Sequence, residues 1–203
     1  VPMTAHDIRS KIKHVRPLIL DGGLATELEK RGYDVDDPLW SARVLLDHPE
    51  AIRQLHYDYL AAGADCLITA TYQASLPGLK AAGLNHDAAV TVLQSAVDLA
   101  IDARRAWQND PRRRADRAPA LIAASIGPYG AYRHDGSEYT GDYKIGRGEL
   151  LEFHRERFHI LAHSGADLLA CETIPSLQEA EVLLELLAEV PNTAAWFSFS
   201  CCD

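Results

Sequence analysis

Short apolar runs alternate with helical patterns along this chain, and that alternation restricts the fold more than any other feature. Runs at 18–20, 66–71, 121–125, 168–172 and 195–200 have the length and composition of strands buried on both faces. Between them, Ile52, Leu55, Tyr59 and Ala62 recur three or four residues apart behind Pro49, which suits the first position of a helix. Val90, Leu93, Val97 and Ala100 repeat that spacing. Leu150, Phe153, Phe158 and Leu161 mark another apolar face. Leu177, Ala180, Leu184 and Leu187 mark the last, behind Ser176 and Glu179, whose spacing predicts a capping box. Strands alternating with helices imply right-handed crossovers and a parallel sheet, an α/β fold.

Two segments repeat one another. Gly63-Ala64-Asp65-Cys66-Leu67-Ile68-Thr69-Ala70-Thr71 aligns with Gly165-Ala166-Asp167-Leu168-Leu169-Ala170-Cys171-Glu172-Thr173. In each, a helix ends at a glycine suited to the left-handed cap. A turn containing Asp follows, then a strand ending in Thr. A (β/α) barrel would provide such a unit, and so would a doubly wound sheet.

The chain of 203 residues is long enough for one substantial core. A formal net charge of -9 argues against a nucleic-acid or anionic-membrane surface. No apolar run approaches the ~20 residues of a membrane span. The stretch from Val1 to Lys13 lacks a signal-peptide core. Four cysteines without a secretory signal point to free thiols in a reducing cytoplasm, the expected location. Arg112-Arg113-Arg114 and Arg117 read as a solvated loop between a helix and a strand.

Polar residues gather where the strands are expected to end. Leu18-Ile19-Leu20-Asp21-Gly22-Gly23 breaks from an apolar run into an acid and two glycines, and a helix opens after it with Thr26 and Glu27 in its first turn. Asp21, Thr71, Ser125, Glu172 and Ser200 all fall at or just beyond strand ends, which in a parallel barrel converge on one mouth. Asp21 and Glu172 together suit an ammonium group, held by charge-assisted hydrogen bonds. Backbone N–H groups around Gly22 and Gly23 suit a carboxylate. The combination fits the zwitterionic head of an amino acid. The competing reading is that each acid caps a helix and that Asp-Gly is an ordinary turn. A long loop, 127–143, rich in Gly, Tyr and acids, follows the third run, either as part of a site or as an irregular lid.

These residues also carry a family resemblance. Leu20-Asp21-Gly22-Gly23-Leu24-Ala25-Thr26-Glu27-Leu28 resembles the opening motif of the homocysteine S-methyltransferases, and Ala70-Thr71-Tyr72-Gln73-Ala74-Ser75 the second. Ser125-Ile126-Gly127-Pro128-Tyr129-Gly130-Ala131-Tyr132, with Asp135-Gly136-Ser137-Glu138-Tyr139 and Gly141-Asp142-Tyr143, resembles the third. Cys171-Glu172-Thr173-Ile174-Pro175 resembles the fourth. The motifs come in family order. They are most similar to the bacterial and plant subgroup that uses S-methylmethionine or S-adenosylmethionine.

The resemblance implies a (β/α)8 barrel, with residues 1–203 forming its amino-terminal portion and about the first five βα units. It implies substrate binding by Asp21, Gly22, Gly23, Thr71, Tyr72 and Glu172, with homocysteine and a sulfonium donor as ligands. Tyr72, Tyr129, Tyr132 and Tyr139 are candidates to lie against the sulfonium. It also implies a catalytic zinc that makes homocysteine a thiolate.

The family's zinc is held by three cysteines, one after the sixth strand and an adjacent pair after two glycines near the eighth. Those ligands are expected beyond Asp203, and no catalytic residue is assigned within the chain. Cys201 and Cys202 are set aside as metal ligands, because Phe199-Ser200 precedes them rather than Gly-Gly. Adjacent residues on a regular strand also point to opposite faces. Cys66 and Cys171 are expected as buried strand residues. His56, His154, His159 and His163 fall on predicted helices, in packing or surface roles. A barrel methyltransferase using betaine or a folate donor remains open. So does a non-catalytic amino-acid-binding fragment, expected to be inactive alone and to self-associate through an open sheet edge.

Overall fold

The computed structural model describes residues 17–34, 41–114 and 117–201. A parallel sheet lies at its centre, made of β1 (Cys66–Ile68), β2 (Leu121–Ile126), β3 (Leu168–Ile174) and β4 (Ala195–Phe199). The strands lie side by side in chain order, with no reversal of the kind that marks a doubly wound sheet. The helices are α1 (Leu24–Lys30), α2 (Ser41–Asp47), α3 (Pro49–Ala62), α4 (Leu76–Ala81), α5 (His86–Gln108), α6 (Tyr129–Arg133), α7 (Arg147–Ala162) and α8 (Leu177–Glu189). Among the described residues no helix is long and apolar enough to cross a membrane.

Side-chain alternation splits the sheet into two buried faces. Leu67, Ile122, Ala124, Ile126, Leu169, Cys171 and Ile174 face the main core beneath the helices. Cys66, Leu121, Ala123, Leu168 and Ala170 form a smaller cluster on the opposite face, with Leu18 and Trp196 packed against it. Burial on both sides explains why these strands read as nearly continuous apolar runs. The helix α5 presents Ala89, Val92, Leu93, Ala96, Val97, Ala100 and Ala103 as its buried stripe. Its alanines let neighbouring helices approach closely, while Val92, Leu93 and Val97 each contribute about 1.5–3 kcal/mol of apolar burial. The Asn85 side chain caps α5 by accepting from Ala88 N–H at 2.9 Å.

The repeated segments have the same structural role. Gly63 caps α3 with φ at 113°, whereas Gly165, with φ at 90°, makes a left-handed turn two residues beyond the α7 cap at His163. Asp65 then accepts from Ile19 N–H at 3.2 Å and pairs with Arg117 at 2.5 Å. Asp167 accepts from Ile122 N–H at 2.8 Å and pairs with Arg104 at 2.5 Å. Each acid thus ties the start of its own strand to the strand before it. Arg117 also donates to Gly63 O at 2.7 Å, so this arginine is a half-buried structural tie, not part of a solvated loop as its charge run suggested. Arg112 is held by Asp110 and Tyr57.

Three local expectations need correction. The run at 18–20 makes a single parallel bridge, Leu20 to Cys66, because the chain turns away directly after Asp21 N–H meets Cys66 O at 3.0 Å. The run at 66–71 stops being strand at Ile68. The Thr69 hydroxyl accepts from Ser125 N–H at 3.1 Å, taking a place that a ladder carbonyl would fill. The capping box on α8 is half formed. Ser176 Oγ accepts from Glu179 N–H at 3.2 Å, but the Glu179 carboxylate turns into the core instead of returning to Ser176. Cys66 and Cys171 are buried free thiols, as expected, and burial pushes Cys171 up to about 12.

Candidate active site

The carboxyl ends of the strands open onto a cavity of about 380 Å³ lined by residues from all four sequence motifs. Gly22 to Thr26 form one wall, Ile68 to Ala70 with Tyr72 and Gln73 another, and Glu138 and Tyr139 a third. Glu172 and Thr173 close it.

Asp21 is fixed from below. Its Oδ2 accepts from Ile68 N–H at 2.9 Å, while its buried Oδ1 has no hydrogen-bond partner. Desolvation is the main cause of a pKa raised to about 7, offset partly by the Ile68 bond and reinforced by the nearby Glu172 charge. Burial raises Glu172 as well, and the Ser125 hydroxyl bonded to Oε1 counteracts it. Both acids are partly desolvated, and the Oδ1 of Asp21 lacks a donor. A bound cation would relieve both costs.

The glycines at the opening motif serve close approach more than a sharp turn. A Cβ on Gly22 would sit 2.9 Å from Tyr59 Oη and 3.2 Å from its ring, and Tyr59 Oη donates to Gly23 O at 3.3 Å. Gly22→Ala is expected to cost about 1–2 kcal/mol through overpacking. Tyr59→Phe in the same protein should recover part of that loss in urea denaturation. Strictly additive penalties would count against this contact.

Thr71 is at the site but not in the cavity wall. It is fully buried, donates to Ser125 O at 2.7 Å and shares a 2.7 Å hydrogen bond with Thr69. It therefore supports β2, whose Ser125 hydroxyl bonds the Glu172 carboxylate. Tyr72 and Tyr139 line the cavity, but Tyr129 and Tyr132 do not. Their rings pack against Phe153 of α7, at 4.9 and 5.6 Å between centroids, and the apolar face of α7 draws them away from the mouth. Ile68, Thr69, Glu138 and Thr173 line the cavity without having been singled out as binding residues. Glu138 lies in the long acidic loop, whose composition was the one available signal.

Among the described residues no three His, Cys, Asp or Glu side chains form a group able to hold a metal. Cys66 and Cys171 lie on opposite faces of the sheet. Cys201 is exposed, and Cys202 lies outside the described residues. His56 and His154 are buried, and His159 pairs with Glu189 at 2.7 Å on the surface.

Fold and site together define an α/β protein whose parallel strands bring Glu172 and a glycine turn to one cavity, with Asp21 set behind its wall between Gly22 and the Ile68 N–H. A family model described as homocysteine S-methyltransferase matches residues 18–203, and the chain belongs to that family. It is 51% identical over 186 residues to homocysteine S-methyltransferase YbgG of Bacillus subtilis, covering 92% of this chain and 59% of that protein. It is 49% identical over 187 residues to the homocysteine S-methyltransferase of Escherichia coli, again covering 92% and 59%. The crystal structure of the E. coli homocysteine methyltransferase MmuM, described as the metallated form, superposes with a TM-score of 0.89 at 46% identity. That match covers 97% of this chain and 67% of the other. The chain thus spans somewhat under two thirds of the length of these curated relatives.

Proposed function

We propose that the protein containing this chain transfers a methyl group from a sulfonium donor to the sulfur of homocysteine, giving methionine. The donor is S-methylmethionine or S-adenosylmethionine. The sulfur of homocysteine provides the electron pair for the new S–C bond, and the donor leaves as a neutral thioether. Such a displacement depends on in-line positioning more than on acid–base catalysis. The described residues position the acceptor. Asp21 and Glu172 hold its ammonium group, and backbone N–H groups at Gly22 and Gly23 receive its carboxylate. Tyr139 offers a ring face to the donor cation, and Tyr72 stands against the bound homocysteine. The buried, unpartnered Asp21 Oδ1 beside Glu172 carries this reading, because it is an acceptor awaiting a cationic donor.

The sequential parallel order supports reading the chain as the first five βα units of a (β/α)8 barrel, with residues 1–203 as the amino-terminal portion of that one domain. The family implies zinc, which when bound supplies a thiolate. The described residues do not fit its site, and the three cysteine ligands are expected beyond Asp203. Residues 1–203 expressed alone should accordingly show no stoichiometric zinc in metal analysis and no turnover.

Incubating the complete protein with homocysteine and each donor in turn tests the assignment. Methionine should form with S-methylmethionine or S-adenosylmethionine. Turnover with betaine or a methyl-folate alone would replace the donor class, and homocysteine binding without turnover by any donor would favour a binding role.

A further inference from the structure

Consecutive residues on a regular strand face opposite sides of the sheet. Glu172 and Thr173 are consecutive, yet both line the same cavity. The backbone of Thr173 explains this, with φ at 59° in the left-handed region. A β-branched residue rarely adopts that conformation, because its Cβ and methyl group crowd the neighbouring carbonyl. The pairing of β3 with β4 shifts register here, between Cys171 and Ile174. The Thr173 N–H leaves the ladder and donates to Ser198 Oγ at 3.2 Å. On its other side Thr173 shares the cavity lining with Tyr72, which stands across from β3 on the wall that follows β1 and whose phenol burial pushes up while the Thr173 side chain draws it back. Glycine or asparagine would adopt this backbone conformation with less strain.

We propose that Thr173 is a strained positioning residue, whose left-handed backbone puts its hydroxyl into the cavity beside Glu172 and there holds Tyr72 against the bound amino acid. Strain of this kind persists where surrounding structure over-determines it, and it clusters at ligand sites. The bulge leaves Glu172 in its inward position while turning the next side chain to the same side. Two adjacent residues then serve one cavity: Glu172 supplies charge, and Thr173 fixes the aromatic wall. The role concerns positioning, so its loss should appear in affinity while the fold holds or gains.

The ligand readout rests on the amino-acid reading of the site, and the stability readout does not. Thr173→Gly, Thr173→Ser and wild type are compared in the complete protein, by thermal unfolding and by calorimetry with homocysteine. Thr173→Gly should melt at least 2 °C higher, about the shift expected for relief of a single strained residue in a protein of this size. It should also bind homocysteine about tenfold or more weakly. Thr173→Ser keeps the hydroxyl and should bind within about threefold of wild type. A Thr173→Gly protein that melts no higher than wild type, or binds as tightly, overturns the inference. So does a Thr173→Ser protein as weak as Thr173→Gly. If wild type itself fails to bind homocysteine, the reading of the site falls, and the sign of the Thr173→Gly melting shift alone decides the role of Thr173.

Discussion

Glu179→Ala is expected to cost about 3–5 kcal/mol of folding stability, the scale for breaking a buried charge network by removing one partner. Glu179 is fully buried on α8. It accepts from Tyr129 N–H at 2.6 Å, Tyr143 Oη at 2.9 Å and His154 Nε2 at 2.8 Å. Arg157, equally buried, lies on the far side of the same imidazole. Its Nη2 donates to His154 Nδ1 at 3.1 Å and to Gly127 O at 2.7 Å. An imidazole that accepts at Nδ1 and donates at Nε2 is neutral, and burial holds its pKa below the ordinary value. A cation and an anion are thus bridged by a neutral ring, and every hydrogen bond of the Glu179 carboxylate leads back to the segment after β2 or to α7. Truncation would orphan three donors and leave Arg157 without its counter-charge. Glu179→Gln keeps the shape and should cost less. Urea denaturation of both variants gives the comparison, and a Glu179→Ala protein within about 1 kcal/mol of wild type would show that the network adds little.

Asp21→Asn and Glu172→Gln should each weaken homocysteine binding by about 1.5–3 kcal/mol, the worth of a hydrogen bond to a charged group. Stability should move the other way for Asp21. Its folded pKa of about 7 lies above the value of 3.8 for a free carboxyl. The folded protein therefore binds this proton more tightly than the unfolded chain, so stability falls as pH rises from about 3.8 to about 7 and the full cost of the buried carboxylate is present above that. Asn carries no such cost, so Asp21→Asn should melt no lower than wild type at pH 8 while binding more weakly. The same shift predicts how affinity depends on pH. An ammonium ligand needs ionised Asp21, so affinity should fall as pH drops below about 7, by up to about tenfold per unit. Asp21→Asn should flatten that dependence. Zinc content should stay unchanged, because neither residue is expected as a ligand. Calorimetry between pH 5.5 and 8, flanking the Asp21 pKa of about 7, tests these expectations. Unchanged homocysteine affinity in both variants would refute the assignment of the amino-acid head.

Much of this protein follows from local pattern. The three central apolar runs, the helical spacing of 3.6 and the Gly-Ala-Asp repeat set the order of elements, because periodicity and glycine turns act over a few residues. The placement of Asp21 and Glu172 at strand ends was legible for the same reason. On α8, however, Leu177 and Leu184 are exposed, and Ala180, Val182, Leu183 and Leu186 form the buried face instead. Other features belong to the tertiary structure alone. Thr71 turned to Ser125, Tyr129 and Tyr132 packed on Phe153, and Glu179 left its helix cap for three donors supplied by α6, α7 and the loop between them. A side chain with several possible partners goes to whichever the fold desolvates it beside, and that choice depends on contacts dozens of residues away. The left-handed Thr173 is the clearest case. Its composition argues for ordinary strand, and the bulge against β4 with the Ser198 hydroxyl on its N–H holds it in a conformation its own chemistry disfavours.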